Sequence, residues 1–250
     1  MRVALIIPEK LKKDTIVEAL FEVRFSSPSI SEVVIGKLCD NPQWESFEQV
    51  RLAAADMPQK LRDSDPSLRY QPLIQLENRD VSTNVRIGGS VLSIHRLVPY
   101  SGWNNFKDYL TEALKYLERT IKELEYTRFG LRYVNLLSKS GHAINRIDDL
   151  NLNFTVGGGK VSDNFNFTFY NQLNAELASQ VRITTPHYLS ADRIPTDTLC
   201  AIDVDIFTPD DAVFLEQQPD VLSWLDRAHD NEKEIFFSLF DEDWLKKMSV

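Results

Sequence analysis

The chain has 250 residues, 28 Lys and Arg against 37 Asp and Glu, a formal net charge of −9 and 43% hydrophobic residues. A chain this long and this apolar buries a core without a metal or disulfide staple, which excludes disordered and fibrous classes. Cys39 and Cys200 are the two cysteines, too few and too far apart for a disulfide scaffold or a cysteine-rich zinc site, and no run approaches the ~18 apolar residues of a membrane span.

The apolar start, Met1 to Pro8, is too short for a secretory core and is followed by Glu9 to Lys13, so a cytoplasmic protein is expected. In Thr15–Phe25, Val17, Ala19, Phe21, Val23 and Phe25 alternate with Glu18, Glu22 and Arg24, the period of a half-buried strand. Ser29 to Leu38 reads as a short helix capped by Ser29 or Ser31. After a polar stretch from Asn41 to Pro66, strands are expected at Tyr70–Leu76, Val81–Ile87 and Val91–Val98. Gly88-Gly89 is the hairpin turn of the last two. Trp103, Phe106, Leu110, Leu114, Leu117, Ile121 and Leu124 recur at helical spacing and predict an amphipathic helix over 103–125, with Ser101 as its cap.

Phe129–Leu137 returns to strand character, and Gly157-Gly158-Gly159 marks a turn. Asn164–Leu173 alternates Phe165, Phe167 and Phe169 with polar residues, a strand with one wet face; Glu176–Thr185 and Leu199–Phe207 are further strands. Val221, Trp224, Leu225, Ala228, Ile235, Phe236 and Leu239 predict a second long helix, and Asp241 caps a last short turn. The expected fold is α+β, in two similar halves, 1–126 and 127–250, each an antiparallel sheet with a long helix packed on it.

Charge is segregated. Residues 201–250 hold 4 basic and 13 acidic residues, a balance equal to the net charge of the whole chain. Such a surface repels phosphate, so nucleic acid is not an expected partner, nor is a membrane. The Gly-rich Gly157 to Lys160 lacks the spacing and the following helix of a P-loop. Of the four histidines, His95, His142, His187 and His229, none belongs to a metal-binding pair at helical spacing, and no nucleophile elbow exists. Asp203 and Asp205 share one strand face, with Asp210-Asp211 beyond, an alternation that suits a Mg²⁺ site or simply a wet strand face. Arg132 interrupts an apolar strand and is expected to pair with a carboxylate, since unpaired burial is costly.

The segments IVEALFEVRF (16–25), Trp103-x-x-Phe106, GLRYVN (130–135) and AHDNEKEIFFSLFDEDW (228–244) occur in that order. Their order and spacing resemble a sporadically distributed family of prokaryotic proteins of about this length. The resemblance carries no established activity. The family's patchy distribution implies mobile elements, and with them a role in anti-phage defence or a toxin–antitoxin-like system. The family-like positions are Glu18, Arg132, Tyr133, Asn135 and His229, with no role attached to any.

The expectation is therefore a non-enzymatic module that binds a protein partner or a second copy of itself and needs no cofactor, with Arg132, Tyr133, Asn135 and His229 as candidate ligand-binding residues. Two alternatives stand beside it. One is a small-molecule binder with an apolar pocket lined by Phe165–Tyr170 and Arg132. The other is a metal-dependent phosphodiester enzyme using Asp203 and Asp205, with His229.

Overall fold

The computed structural model describes residues 7–65, 68–190, 194–209 and 219–250; the start of the chain and Asp210-Asp211 lie outside the described residues. Strand β1 is Ile16–Ser26, followed by helix α1 (Ser31–Cys39), β2 (Glu48–Arg51), α2 (Gln59–Ser64), β3 (Ile74–Asn78), β4 (Thr83–Ile87) and β5 (Val91–Leu97). Helix α3 is Trp103–Thr120, β6 is Glu125–Ser138 and α4 is a single turn, Lys139–His142. Then come β7 (Thr155–Val156), β8 (Gly159–Lys160), β9 (Asn166–Gln172), β10 (Ala178–Thr184), β11 (Thr198–Phe207), α5 (Val221–Ser238) and α6 (Glu242–Met248). Nine strands form one antiparallel sheet in the order β2-β3-β4-β5-β1-β6-β11-β10-β9, and β7-β8 make a separate hairpin across the glycine turn. The fold is α+β. Among the described residues, no helix is long and apolar enough to cross a membrane.

Several boundaries depart from the sequence expectation. Ser101 does not cap α3: Gly102, at φ 91°, holds the cap position, and the Ser101 hydroxyl donates to Asn105 Oδ1 instead. That positive φ is one that glycine adopts freely. The helix stops at Thr120, and Glu123, at φ 50°, turns the chain into β6. Neither Ser29 nor Ser31 caps α1, whose cap position is Ile30. Tyr70 lies in a turn and β3 begins only at Ile74, because Leu68 and Gln71 close successive turns with Asp65 and Leu68. Asn164–Leu173 does not have one dry face along its length. Phe165 is buried just before β9, Phe167 is half-buried, and the rest of β9 is exposed.

The chain divides into two compact units that are not contiguous in sequence. Unit one is Met1–Glu18, Arg132–Ile206 and Asp226–Val250; unit two is Ala19–Leu131 and Phe207–Leu225. In unit two, Ala19, Phe21, Val23 and Phe25 of β1 are all buried, as alternation requires. Phe129 of β6 packs between Phe21 and Trp224, with ring centroids 6.4 and 5.4 Å away. The buried stripe of α3 is Phe106, Leu110, Ala113, Leu114 and Leu117, and Tyr116 ties α3 to α1 by donating to the Lys37 carbonyl at 3.1 Å.

In unit one, Cys200, Ile202, Val204 and Ile206 form the buried side of β11. Asp241 caps α6 by accepting from the Trp244 amide at 2.6 Å. The Trp244 ring stacks on Phe240, and its Nε1 donates to the His142 carbonyl at 2.7 Å. The segment before β1 is pinned to the segment after α6: Lys12 N–H donates to the Met248 carbonyl at 2.8 Å and Val250 N–H to the Lys10 carbonyl at 3.1 Å.

Candidate functional site

Three candidate residues, Arg132, Tyr133 and Asn135, lie at the unit-one end of β6, where pleating sends them to opposite faces. Tyr133, Asn135 and Leu137 are buried, whereas Arg132, Val134 and Leu136 on the other face are only partly covered. Arg132 finds the carboxylate that the sequence demands. Its Nε donates to Asp203 Oδ1 at 2.7 Å and its Nη2 to Asp203 Oδ2 at 2.6 Å, a two-pronged geometry that fixes both side chains. The Arg132 side chain remains 37% exposed and that of Asp203 13%. Burial works against the guanidinium charge. The bonds to Asp203 and the charges of Asp203, Asp205 and Glu18 outweigh it and hold the Arg132 pKa above its ordinary value. The result is one guanidinium among three carboxylates, set on strands β1, β6 and β11.

On the other face lies a layer of polar groups within the core. The Tyr133 ring faces His229 of α5 at 5.8 Å between centroids. Asn135, 1% exposed, accepts at Oδ1 from the Thr15 hydroxyl at 2.7 Å, while its Nδ2 has no acceptor among the described residues. Burial, reinforced by the Lys233 charge and opposed by Asp226, pushes the His229 pKa down to about 4, so the ring is neutral at pH 7.

One turn further along α5 stands Glu232, only 5% exposed. Burial drives its pKa up to about 8 against the opposing charge of Lys233, so this carboxyl keeps its proton at pH 7. Glu232 is absent from the sequence expectation, although a signal for it exists. Position 232 falls four residues after Ala228 and four before Phe236, within the apolar stripe of α5, so helical spacing alone places it in the core. The arrangement stores a proton in a neutral acid beside a neutral imidazole.

The four candidate binding residues therefore do not form one site. Tyr133 and Asn135 are buried and His229, half-buried, packs with Tyr133, whereas Arg132 belongs to the opposite face. The same division separates the alternative metal set. Both oxygens of Asp203 are engaged by Arg132, and His229 packs with Tyr133 on the other side of β6. Among the described residues, no group of three or more His, Cys, Asp or Glu is placed to hold a metal ion. His95 and His142 have structural partners. Ser93 Oγ lies 3.0 Å from His95 Nε2, and His142 Nδ1 accepts from the Ser138 amide at 2.9 Å.

A cleft of about 300 Å³ in unit one is lined by Lys139, Asn145, Arg146, Asp148, Asp163 and Thr198, among others. None of the four candidate residues lines it, and its character is polar, not the apolar pocket expected. Asp148 at its wall bonds Lys160 at 2.8 Å and Arg146 at 3.1 Å, and these contacts, the Lys160 bond foremost, hold its carboxyl below the ordinary carboxylate range. The sequence offered no signal for this cleft, because its walls come from turns whose meeting depends on the fold.

No family model matches the chain, and no curated protein is significantly similar to it.

Proposed function

We propose that the chain is a non-catalytic contact module, and that the partly exposed face of unit one around Arg132 receives a cationic protein surface. The observation that supports this reading is the makeup of that face: Glu18, Asp203 and Asp205 surround Arg132, which is clamped by Asp203. The patch carries excess negative charge on strands, so its charges are organised before a partner arrives, which lowers the ordering cost of binding and favours correct orientation. The acidic balance of residues 201–250 has the same sign. In this reading the module works in the cytoplasm without a cofactor and without direct nucleic-acid contact. Its family resemblance puts it in an anti-phage defence or toxin–antitoxin-like system. The reading also takes 1–126 and 127–250 as copies of one ancestral half: the strand order from β1 outward (β5, β4, β3) has a counterpart from β6 outward (β11, β10, β9), and α3 and α5 are each 18 residues long.

The test is calorimetric titration of the full chain with oligolysine across a salt series. Binding that weakens steeply with salt, and that falls about tenfold in a Glu18→Gln/Asp205→Asn variant, is the expected outcome. Equal binding by that folded variant overturns the reading.

A second reading, a small-molecule binder, draws on the 300 Å³ cleft. Its ligand would carry charge of both signs, matching Lys139 and Asp163. Chemical-shift changes confined to these walls on adding a zwitterionic amino acid would support it; none on adding such compounds at millimolar levels would count against it.

A further inference from the structure

The two edges of the nine-stranded sheet are built differently. One edge, β2, has four residues and carries a charge at each end, Glu48 and Arg51. Short, charged edges resist the addition of foreign strands. The other edge, β9, has seven residues, Asn-Phe-Thr-Phe-Tyr-Asn-Gln, with no charge, proline or glycine. It lies within Asn164–Ala175, the longest stretch of the chain without a charged residue. The difference extends to topology. Outward from β1 the third strand, β3, is covered by β2, whereas outward from β6 the third strand, β9, pairs with β10 alone among the described residues.

The ladder shows which backbone groups face the open side. Leu173 N–H donates to the Leu177 carbonyl and Thr185 N–H to the Phe165 carbonyl, in register with a ladder that opposes Gln172 to Ala178 and Asn166 to Thr184. Bonded pairs alternate along antiparallel strands. Phe167, Phe169 and Asn171 therefore turn their amides and carbonyls toward β10, and Asn166, Thr168 and Gln172 turn theirs to the edge. The strand is also braced. Phe154 lies 4.3 Å from Phe167 and 5.4 Å from Phe169 between ring centroids, so the template is held extended by a row of aromatic contacts.

We infer that β9 pairs antiparallel with β9 of a second copy of this chain. Charge permits a second copy at this edge. The net charge of −9 is that of residues 201–250, and β9 lies outside them in a charge-free stretch, so two copies meet there without opposing like charges. The strand is also self-complementary. With the two-fold axis at Phe169, Asn166 of one copy lies opposite Gln172 of the other, amide to amide, and Phe169 lies opposite its own counterpart. This inference rests on the reading of the chain as a contact module, but it uses a different surface from the Arg132 patch, so the two fail separately.

The test is sedimentation velocity of the full chain from about 1 to about 200 µM. A reversible dimer is expected, with a dissociation constant on the order of 10 µM, as suits a small interface. Thr168→Pro removes an outward N–H at a position where an edge strand tolerates proline, and is expected to weaken the dimer at least tenfold while the circular dichroism spectrum stays unchanged. Thr168→Lys places like charges near the axis and serves as the second variant. A wild-type chain that stays monomeric throughout, or a folded variant that dimerises as tightly as wild type, overturns the inference. A monomer that still binds oligolysine overturns β9 pairing and leaves the acidic-patch reading standing.

Discussion

The imidazole of His229 and the carboxyl of Glu232 stand one helical turn apart on α5, and burial strips both of charge at neutral pH by moving their pKa values in opposite directions. Their contributions to stability therefore oppose each other along the pH scale. Glu232 holds its proton more tightly folded than unfolded, so stability present below about pH 4.5 is lost as pH rises toward about 8. His229 binds its proton less tightly folded, so stability is lost as pH falls from about 6.5 through about 4. Lys233 modulates both arms, and Asp226 that of His229, without reversing them. Glu232→Gln is expected to flatten the alkaline arm and to stabilise the protein at pH 8 by a few kcal/mol, since each pKa unit is worth roughly 1.4 kcal/mol. Urea unfolding at pH 5, 6.5 and 8 measures this; an unchanged slope in the variant would show that Glu232 is not a buried neutral acid.

Removing one member of the Arg132–Asp203 fork leaves the other partly desolvated and unmatched. Because Arg132 is more than a third exposed, the loss should be smaller than for a fully buried pair. Asp203→Asn should destabilise by about 1–2 kcal/mol, and a double-mutant cycle with Arg132→Met should return a coupling of similar size. A coupling near zero would mean that the fork is ornamental to stability.

Trp224 is fully buried and packs its indole against Phe129 in unit two. Trp224→Ala should cost about 3–5 kcal/mol through the cavity it leaves, read as a lower urea midpoint with an unchanged denaturant slope. Trp103→Ala should cost less, because Trp103 is only partly buried at the start of α3.

Asp241→Ala removes the acceptor for the Trp244 amide and should destabilise by about 1 kcal/mol. Asp241→Asn should recover most of that loss, because an amide oxygen serves as the same cap. Equal losses in the two variants would assign the effect to charge in the first turn of α6.

Elements with unambiguous periodicity were legible in the sequence. Alternation in β1 and β11 and the spacing of apolar residues in α3 name most of the buried residues, since burial of one face is what produces those patterns; Val17, Trp103 and Leu124 are only half-buried, and the stripe misses the buried Ala113. Arg132 was legible as a paired residue but its partner was not. Asp203 lies 71 positions away, and only the meeting of β6 with β11 selects it from the other carboxylates. Glu232 escaped because a carboxylate within an apolar stripe reads as the polar side of the helix. The exposure of β9 escaped because alternation of Phe with polar residues signals a covered face, and a strand at the sheet margin has little to cover it. Serine caps were misplaced at both α1 and α3, where backbone geometry took over the role.

The discontinuity of unit one dictates when it can fold. Thr15 waits 120 positions for Asn135, and Lys12 waits 235 for the carbonyl of Lys247. During synthesis, the opening segment of unit one leaves the ribosome long before its partners exist. Its closure is therefore a late, high-contact-order event, slower than local helix formation and exposed to misassociation in the interval.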